Sequence, residues 1–136
     1  MANKEWSKFW KSSKQPRKQR KYVYRAPLNK RHKMLAARLS KELREQYSQR
    51  NVPVRTGDTV EIKRGQFRGL KAKVNEVSLA KTRVFVDGAV SRRPDGTEKP
   101  YPIHPSNLEI TKLDLSDSAR EEKIKKVAEK NQNGNK

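Results

Sequence analysis

The 136-residue chain has no cysteine, which excludes disulfides and thiolate chemistry. No apolar run approaches the roughly 20 residues that span a bilayer, and the first residues lack a signal-peptide apolar region. A cytoplasmic protein without membrane insertion is therefore expected. There are two histidines, His32 and His104, and without cysteine they form no convincing metal set. Neither a metal nor another cofactor is expected. Hydrophobic residues make up only 32% of the chain, too few to order its whole length by burial alone. We expect a compact part of roughly 60 residues, marginally stable at that size, with extensions that order on a partner.

Acidic residues are scarce where basic ones are dense. The chain carries a net charge of +19, and residues 1–55 hold 17 Lys and Arg against three acids. Residues 56–112 hold 11 against seven and residues 113–136 six against five, so the excess sits in the N-terminal third. Charge of this size does not specify a fold, but it points to a polyanionic partner.

Within that third, Trp6, Phe9 and Trp10 recur at helical spacing among lysines. They fit a frayed terminus, or aromatic groups that stack on bases or dock on a neighbouring protein. Residues 13–25 contain Lys14, Arg17, Lys18, Arg20, Lys21 and Arg25 with no acid, interleaved with Tyr22 and Tyr24. That combination predicts a nucleic-acid arm. Pro27 suits the first position of a helix, and Leu28, His32, Leu35 and Leu39 continue it at three- and four-residue spacing. Lys30, Arg31 and Lys33 lie on its other faces. Ser40 is an expected N-cap for a second short helix to about Tyr47, with Glu42 near its positive end.

From Val52 the hydrophobic period becomes two. Val60/Ile62, Ala72/Val74, Val84/Val86, Tyr101/Ile103 and Leu108/Ile110 mark about five short strands. Turns fall at Thr56–Asp58, Arg64–Gly69, Asp87–Gly88 and Pro94–Gly96. Asp95-Gly96 is expected to tip a hairpin with Arg92 and Arg93 on its arm. Such a pattern predicts a mainly β fold, a small barrel. The organisation expected is a basic, partly helical extension (1–51), the barrel (52–113), and a C-terminal helix with a disordered tail (114–136). Ser118-x-x-Glu121 is the expected cap of that last helix, Ile124 and Val127 its apolar anchors, and the final NQNGNK its disordered end.

Asp58, Glu61, Asp87 and Asp95 show no paired-carboxylate, nucleophile-base or metal-ligand spacing. They read as turn residues or charge partners, so neither an enzyme nor a small-molecule substrate is expected. In GDTVEIKRGQFRGLKAKV (57–74), Gly65 and Gly69 bound a loop whose backbone can approach a phosphate closely. Lys63, Arg64, Arg68, Lys71 and Lys73 surround it.

That stretch resembles a KOW motif, the strand-loop-strand element of ribosomal proteins and some transcription elongation factors, through Gly57, Val60, Ile62, Gly65, Gly69, Val74 and Val77. Ala72 stands where the motif usually has a third glycine. With SKQPRKQRK (13–21), APLNKRH (26–32), LSKELREQY (39–47), RNVPVRTGD (50–58) and YPIHPSNLEITKL (101–113), the chain is similar to the archaeal branch of the L-twenty-four family of large-subunit ribosomal proteins, called L-twenty-six in eukaryotes. The similarity runs over about residues 13 to 125. It implies an SH3-like barrel that binds large-subunit ribosomal RNA, acts early in subunit assembly and lies near the polypeptide exit tunnel, beside other large-subunit proteins. The RNA-contacting set we expect is the arm, the first helix with His32, the glycine loop with its basic neighbours, and Arg92 and Arg93. A KOW module of an elongation factor is the alternative. Such proteins normally carry an α/β domain before the module, where this chain has a basic arm.

Overall fold

The computed structural model of the chain describes residues 6–134. Part of the aromatic N-terminal segment (1–5) and the last two residues of NQNGNK lie outside the described residues. After a 3-10 turn (Lys8–Ser12), two short helices follow, α1 (Pro16–Tyr24) and α2 (Leu28–Met34). Strand β1 (Ala36–Leu39), helix α3 (Lys41–Tyr47) and strand β2 (Asn51–Pro53) come next. The chain continues through β3 (Thr59–Ile62), β4 (Lys71–Ser78), β5 (Arg83–Val86), β6 (Val90–Arg92), β7 (Glu98–Pro100) and β8 (Leu108–Lys112), and ends in α4 (Ser118–Gly134).

Six strands form one mixed sheet in the order β2-β1-β8-β3-β4-β5, and β6 and β7 form a separate hairpin. A mainly β architecture with a C-terminal helix is thus observed. The alternating aliphatics face inward: Val60, Ile62, Val74, Val84, Val86, Leu108 and Ile110 are buried. Val60 sits opposite Ile110, and Ile62 opposite Leu108. In β4 the alternation slips after Val74, because a register shift between Val74 and Glu76 inserts an extra residue. That bulge explains why Val77 follows Glu76 in the sequence and still packs against the core. The Asp95-Gly96 hairpin forms as expected, with Ser91 opposite Lys99 and Arg92 opposite Glu98.

Two expectations change. The helix predicted from Leu28 to Leu39 stops at Met34, and Ala36–Leu39 become a strand, antiparallel to β2 and parallel to β8. A spacing of four, as between Leu35 and Leu39, satisfies both a helical stripe and one face of a strand. Ala37 breaks the ambiguity, since Leu35, Ala37 and Leu39 are all buried at period two. The other change is in α4, which continues through Asn131 to Gly134 where a disordered end was expected. Asn131 Nδ2 donates to the Ser48 carbonyl at 2.7 Å, tying this stretch to the end of α3. The cap of α4 is also one residue earlier than expected: Asp117 Oδ1 accepts from the Ala119 amide at 3.0 Å. For α3 the expected cap holds, as Ser40 Oγ accepts from the Leu43 amide.

A buried ion pair ties α4 to the sheet. Asp58 is fully buried and Arg120 is 7% exposed, and they form a two-pronged ion pair at 2.6 and 2.8 Å. Arg120 also donates to the carbonyls of Asp114 and Pro53. Asp58 in turn accepts from the amides of Arg55 and Asp114. A buried pair is tolerable only when its remaining donors and acceptors are satisfied in this way.

Candidate nucleic-acid interface

Helix α1 begins with Pro16 at its first turn, where the missing N–H leaves no bond unmade. At 3.6 residues per turn, Arg17, Arg20, Lys21 and Tyr24 share one face. Gln19 and Tyr22 fall on the opposite side and dock against the N-terminal turn. Gln19 Nε2 donates to the carbonyls of Lys11 and Ser13 at 2.8 and 2.6 Å. Trp6 packs on Tyr22 with ring centroids 5.3 Å apart and donates from Nε1 to the Tyr22 carbonyl at 3.1 Å. Trp6 therefore docks within its own chain, and Tyr22 has one side covered, whereas Tyr24 stays 58% exposed. Lys18 lies toward the flank, and Lys14 precedes the helix.

No Lys or Arg between residues 6 and 34 has a carboxylate within 4.0 Å among the described residues. Arg31 differs from its neighbours in being engaged by backbone. It donates to the carbonyls of Ala26 (2.9 Å), Ala80 (3.1 Å) and Tyr24, which clamps the α1–α2 junction onto the β4–β5 turn. Lys30 and Lys33 on α2 carry no such contact among the described residues. His32 lines a cleft of about 500 Å³ beside Arg55, Asp114, Asp117 and Arg120, away from the glycine loop. Arg25 stacks over Tyr24 at 5.7 Å, and its Nε is buried without a partner among the described residues.

The loop between β3 and β4 is held by the Gly69 amide donating to the Ile62 carbonyl at 2.8 Å and the Leu70 amide to the Phe67 carbonyl at 3.1 Å. Gly65 and Gly69 have φ of +98° and +92°, and a Cβ on either would meet nothing within 4 Å. These glycines thus serve the left-handed backbone itself, and the loop presents bare main chain outward. Arg64 and Arg68 flank it without ion-pair partners among the described residues. Lys63 is different, lying 3.3 Å from Glu61 and 3.8 Å from Glu109, and Lys71 lies 4.0 Å from Glu61. Lys73 is exposed on the outer face of β4. Arg92, paired with Glu98 at 3.5 Å, and the exposed Arg93 lie on the separate hairpin, so the structure does not gather them with the arm.

Between arm and loop lie side chains that the sequence reading did not select. Two depressions of about 320 and 230 Å³ share Arg83 and His104 in their walls. The first is bounded by Tyr24 and Lys81, the second by Arg64, Phe67 and Tyr101. Phe67 and Tyr101 meet edge to face at 5.2 Å. Among the described residues no carboxylate lines either depression, unlike the His32 cleft. His104 Nδ1 accepts from the Ser106 amide at 3.2 Å, which leaves the ring proton on Nε2. Burial first, and Arg83 second, hold its pKa below the ordinary 6.5. Tyr101/Ile103, expected as a strand, forms only an isolated bridge between Ile103 and Val84, and that bridge brings Arg83 beside Tyr101 and His104.

A family profile that unites the eukaryotic L-twenty-six and archaeal L-twenty-four ribosomal proteins matches residues 13–127. The chain is also 52% identical over 112 residues to "Large ribosomal subunit protein uL24" of Methanosphaera stadtmanae, covering 82% of this chain and 96% of that protein. The chain belongs to this ribosomal protein family. Its members are structural, not catalytic, and their place is the cytoplasmic ribosome. The archaeal-type assignment holds. Ala72, the residue that departs from the KOW pattern, pairs with Val60 inside the β3–β4 ladder and packs against the core. A methyl there meets no strained backbone, since Ala72 is not among the positive-φ residues.

Proposed function

We propose that the chain binds large-subunit ribosomal RNA as a structural constituent of the large subunit, joins it early in assembly and lies near the polypeptide exit tunnel. The six-stranded sheet is, on this reading, the SH3-like barrel of a KOW domain, with the helical arm as its RNA-gripping extension and other large-subunit proteins as neighbours. Carrying the reading is one observation: one face of α1, with Arg17, Arg20 and Tyr24 exposed and Lys21 half-buried, belongs to an arm whose cations have no carboxylate partners among the described residues. A cation without an internal partner is available to phosphate, and phosphate neutralisation dominates such binding. The glycine loop, with Arg64 and Arg68, would add backbone contacts that read RNA shape more than sequence.

If roughly 6–10 phosphates are neutralised, affinity falls about 10³- to 10⁵-fold between 50 and 200 mM salt. Joint substitution of Arg17, Lys18, Arg20 and Lys21 by Ala is the test, read as binding of large-subunit ribosomal RNA across a salt series. Weaker binding with a shallower salt slope is expected. Wild-type affinity and slope in this variant would overturn the reading.

A further inference from the structure

We infer that the groove shared by Arg83 and His104 takes a single unstacked RNA nucleotide, rather than only adding charge along a duplex backbone. This rests on the RNA-binding reading above and goes beyond it by assigning a base-accepting subsite. The argument starts from composition. Along the groove, Tyr24, Phe67 and Tyr101 supply aromatic surface, and Arg64, Lys81 and Arg83 supply positive charge, with no carboxylate in the walls among the described residues. Interleaved aromatic and basic groups suit an exposed base and its phosphate, whereas helical RNA, with its bases stacked inside, offers phosphate and ribose alone.

Exposure and hydrogen bonding agree. Tyr24 is 58% and Tyr101 37% exposed, a large apolar surface that the fold itself does not cover. Arg83 gives one bond to the protein, from Nη1 to the Thr82 carbonyl at 2.9 Å, leaving its other donors without a protein acceptor among the described residues. The tautomer of His104, set by the Ser106 amide, presents an N–H donor suited to a base edge or a ribose hydroxyl. Placement is not accidental to the arm either. The Arg31 clamp on the carbonyls of Tyr24 and Ala80 holds Tyr24 at one end of the groove, so α1 and the barrel edge face the same RNA.

The test uses the full chain and two RNA hairpins, one with a single bulged adenosine and one fully paired. Wild type should prefer the bulged hairpin by roughly 5- to 100-fold, the range expected of one base stacked on an aromatic side chain. Tyr24→Ala and Tyr101→Ala should each remove most of that preference, and Tyr101→Ala, which lies outside the arm, should leave affinity for the paired hairpin within about twofold and the salt slope unchanged. Tyr101→Phe should retain it. The exposed position of Tyr24 makes its variant safe for folding, and urea unfolding checks both. Absence of a preference in wild type, or its survival in both alanine variants, overturns the inference while the paired hairpin still reports on the arm. Failure of wild type to bind either hairpin would instead remove the RNA reading on which it rests. Unchanged bulge preference combined with loss of Tyr101→Ala from purified large subunits would assign the groove to a protein neighbour, and would also overturn it.

Discussion

The arm and the sheet contain the same kinds of basic side chain and use them differently. In residues 6–34 the cations have no carboxylate within reach among the described residues, whereas in the sheet and α4 several are paired: Arg120 with Asp58, Arg55 with Asp117, Lys63 with Glu61 and Glu109, Lys125 with Glu121. A cation beside a carboxylate contributes to the fold if buried and little if exposed. Without one, it remains available to a polyanion. Number of positive charges therefore says less about an interface than where the negative charges are missing.

The sharpest way to break this contrast is at the buried pair. Arg120→Ala leaves Asp58 charged and unpaired in the core, so we expect a loss of about 3–5 kcal/mol of stability, measured by urea unfolding. Because a small domain has only about 5–15 kcal/mol in total, α4 should detach or the protein unfold. A loss under about 1 kcal/mol would mean the pair is not the tie between helix and sheet.

The fourfold arm variant should behave in the reverse manner. Its RNA affinity should drop on the order of 10- to 100-fold at moderate salt, while its stability stays within about 0.5 kcal/mol of wild type, as for other surface changes. If urea unfolding shows a large loss instead, the arm is a structural element and the contrast fails.

Glu61→Gln is a smaller, inverse perturbation. It removes the carboxylate beside Lys63 and Lys71 and should make this edge resemble the arm. RNA affinity should rise a few-fold, in line with the ~0.2–1 kcal/mol of an exposed pair. A filter-binding titration that shows no gain would indicate that this edge does not face RNA.

The smallest effect is a pH dependence. His104 has its pKa lowered from 6.5, chiefly by burial and then by Arg83, so the unfolded chain binds more protons in the window just below 6.5. Stability should accordingly be fully present above about pH 6.5 and decline as pH falls through the lower folded value. His104→Asn keeps a capping acceptor and should flatten that part of the profile. Asp95, Asp114 and Asp117, each held below the ordinary 3.8 mainly by hydrogen bonds from Thr97, Ser116 and Arg55, should add a second decline below pH 3.8. A urea midpoint that is flat between pH 7.5 and 5 would contradict the first of these.

Local chemistry made much of the molecule legible in its sequence. Period-two aliphatics identified β3, β4, β5 and β8, glycines marked the turns, and Ser40 and Asp95-Gly96 acted where expected. These features depend on near neighbours: a strand face repeats every two residues, and a cap bonds to an amide three positions on. Charge counting likewise located the arm without any fold.

Long-range pairing decided the rest. Leu35 and Leu39 fit a helix equally well until β2 and β8 supplied hydrogen-bond partners on both sides of Ala36–Leu39. Asp58 read as a turn residue or a charge partner for nearby Lys and Arg, and its actual partner Arg120 lies far along the chain, where no spacing rule reaches. Arg83 and His104 meet only because β5 bridges to Ile103. The sequence alone therefore determined that this protein is basic and mainly β, since composition and local periodicity are properties of the chain itself. Which cations stay unpaired, and which aromatic groups share a groove with them, only the tertiary structure decided, because both depend on contacts between residues that are distant in the chain.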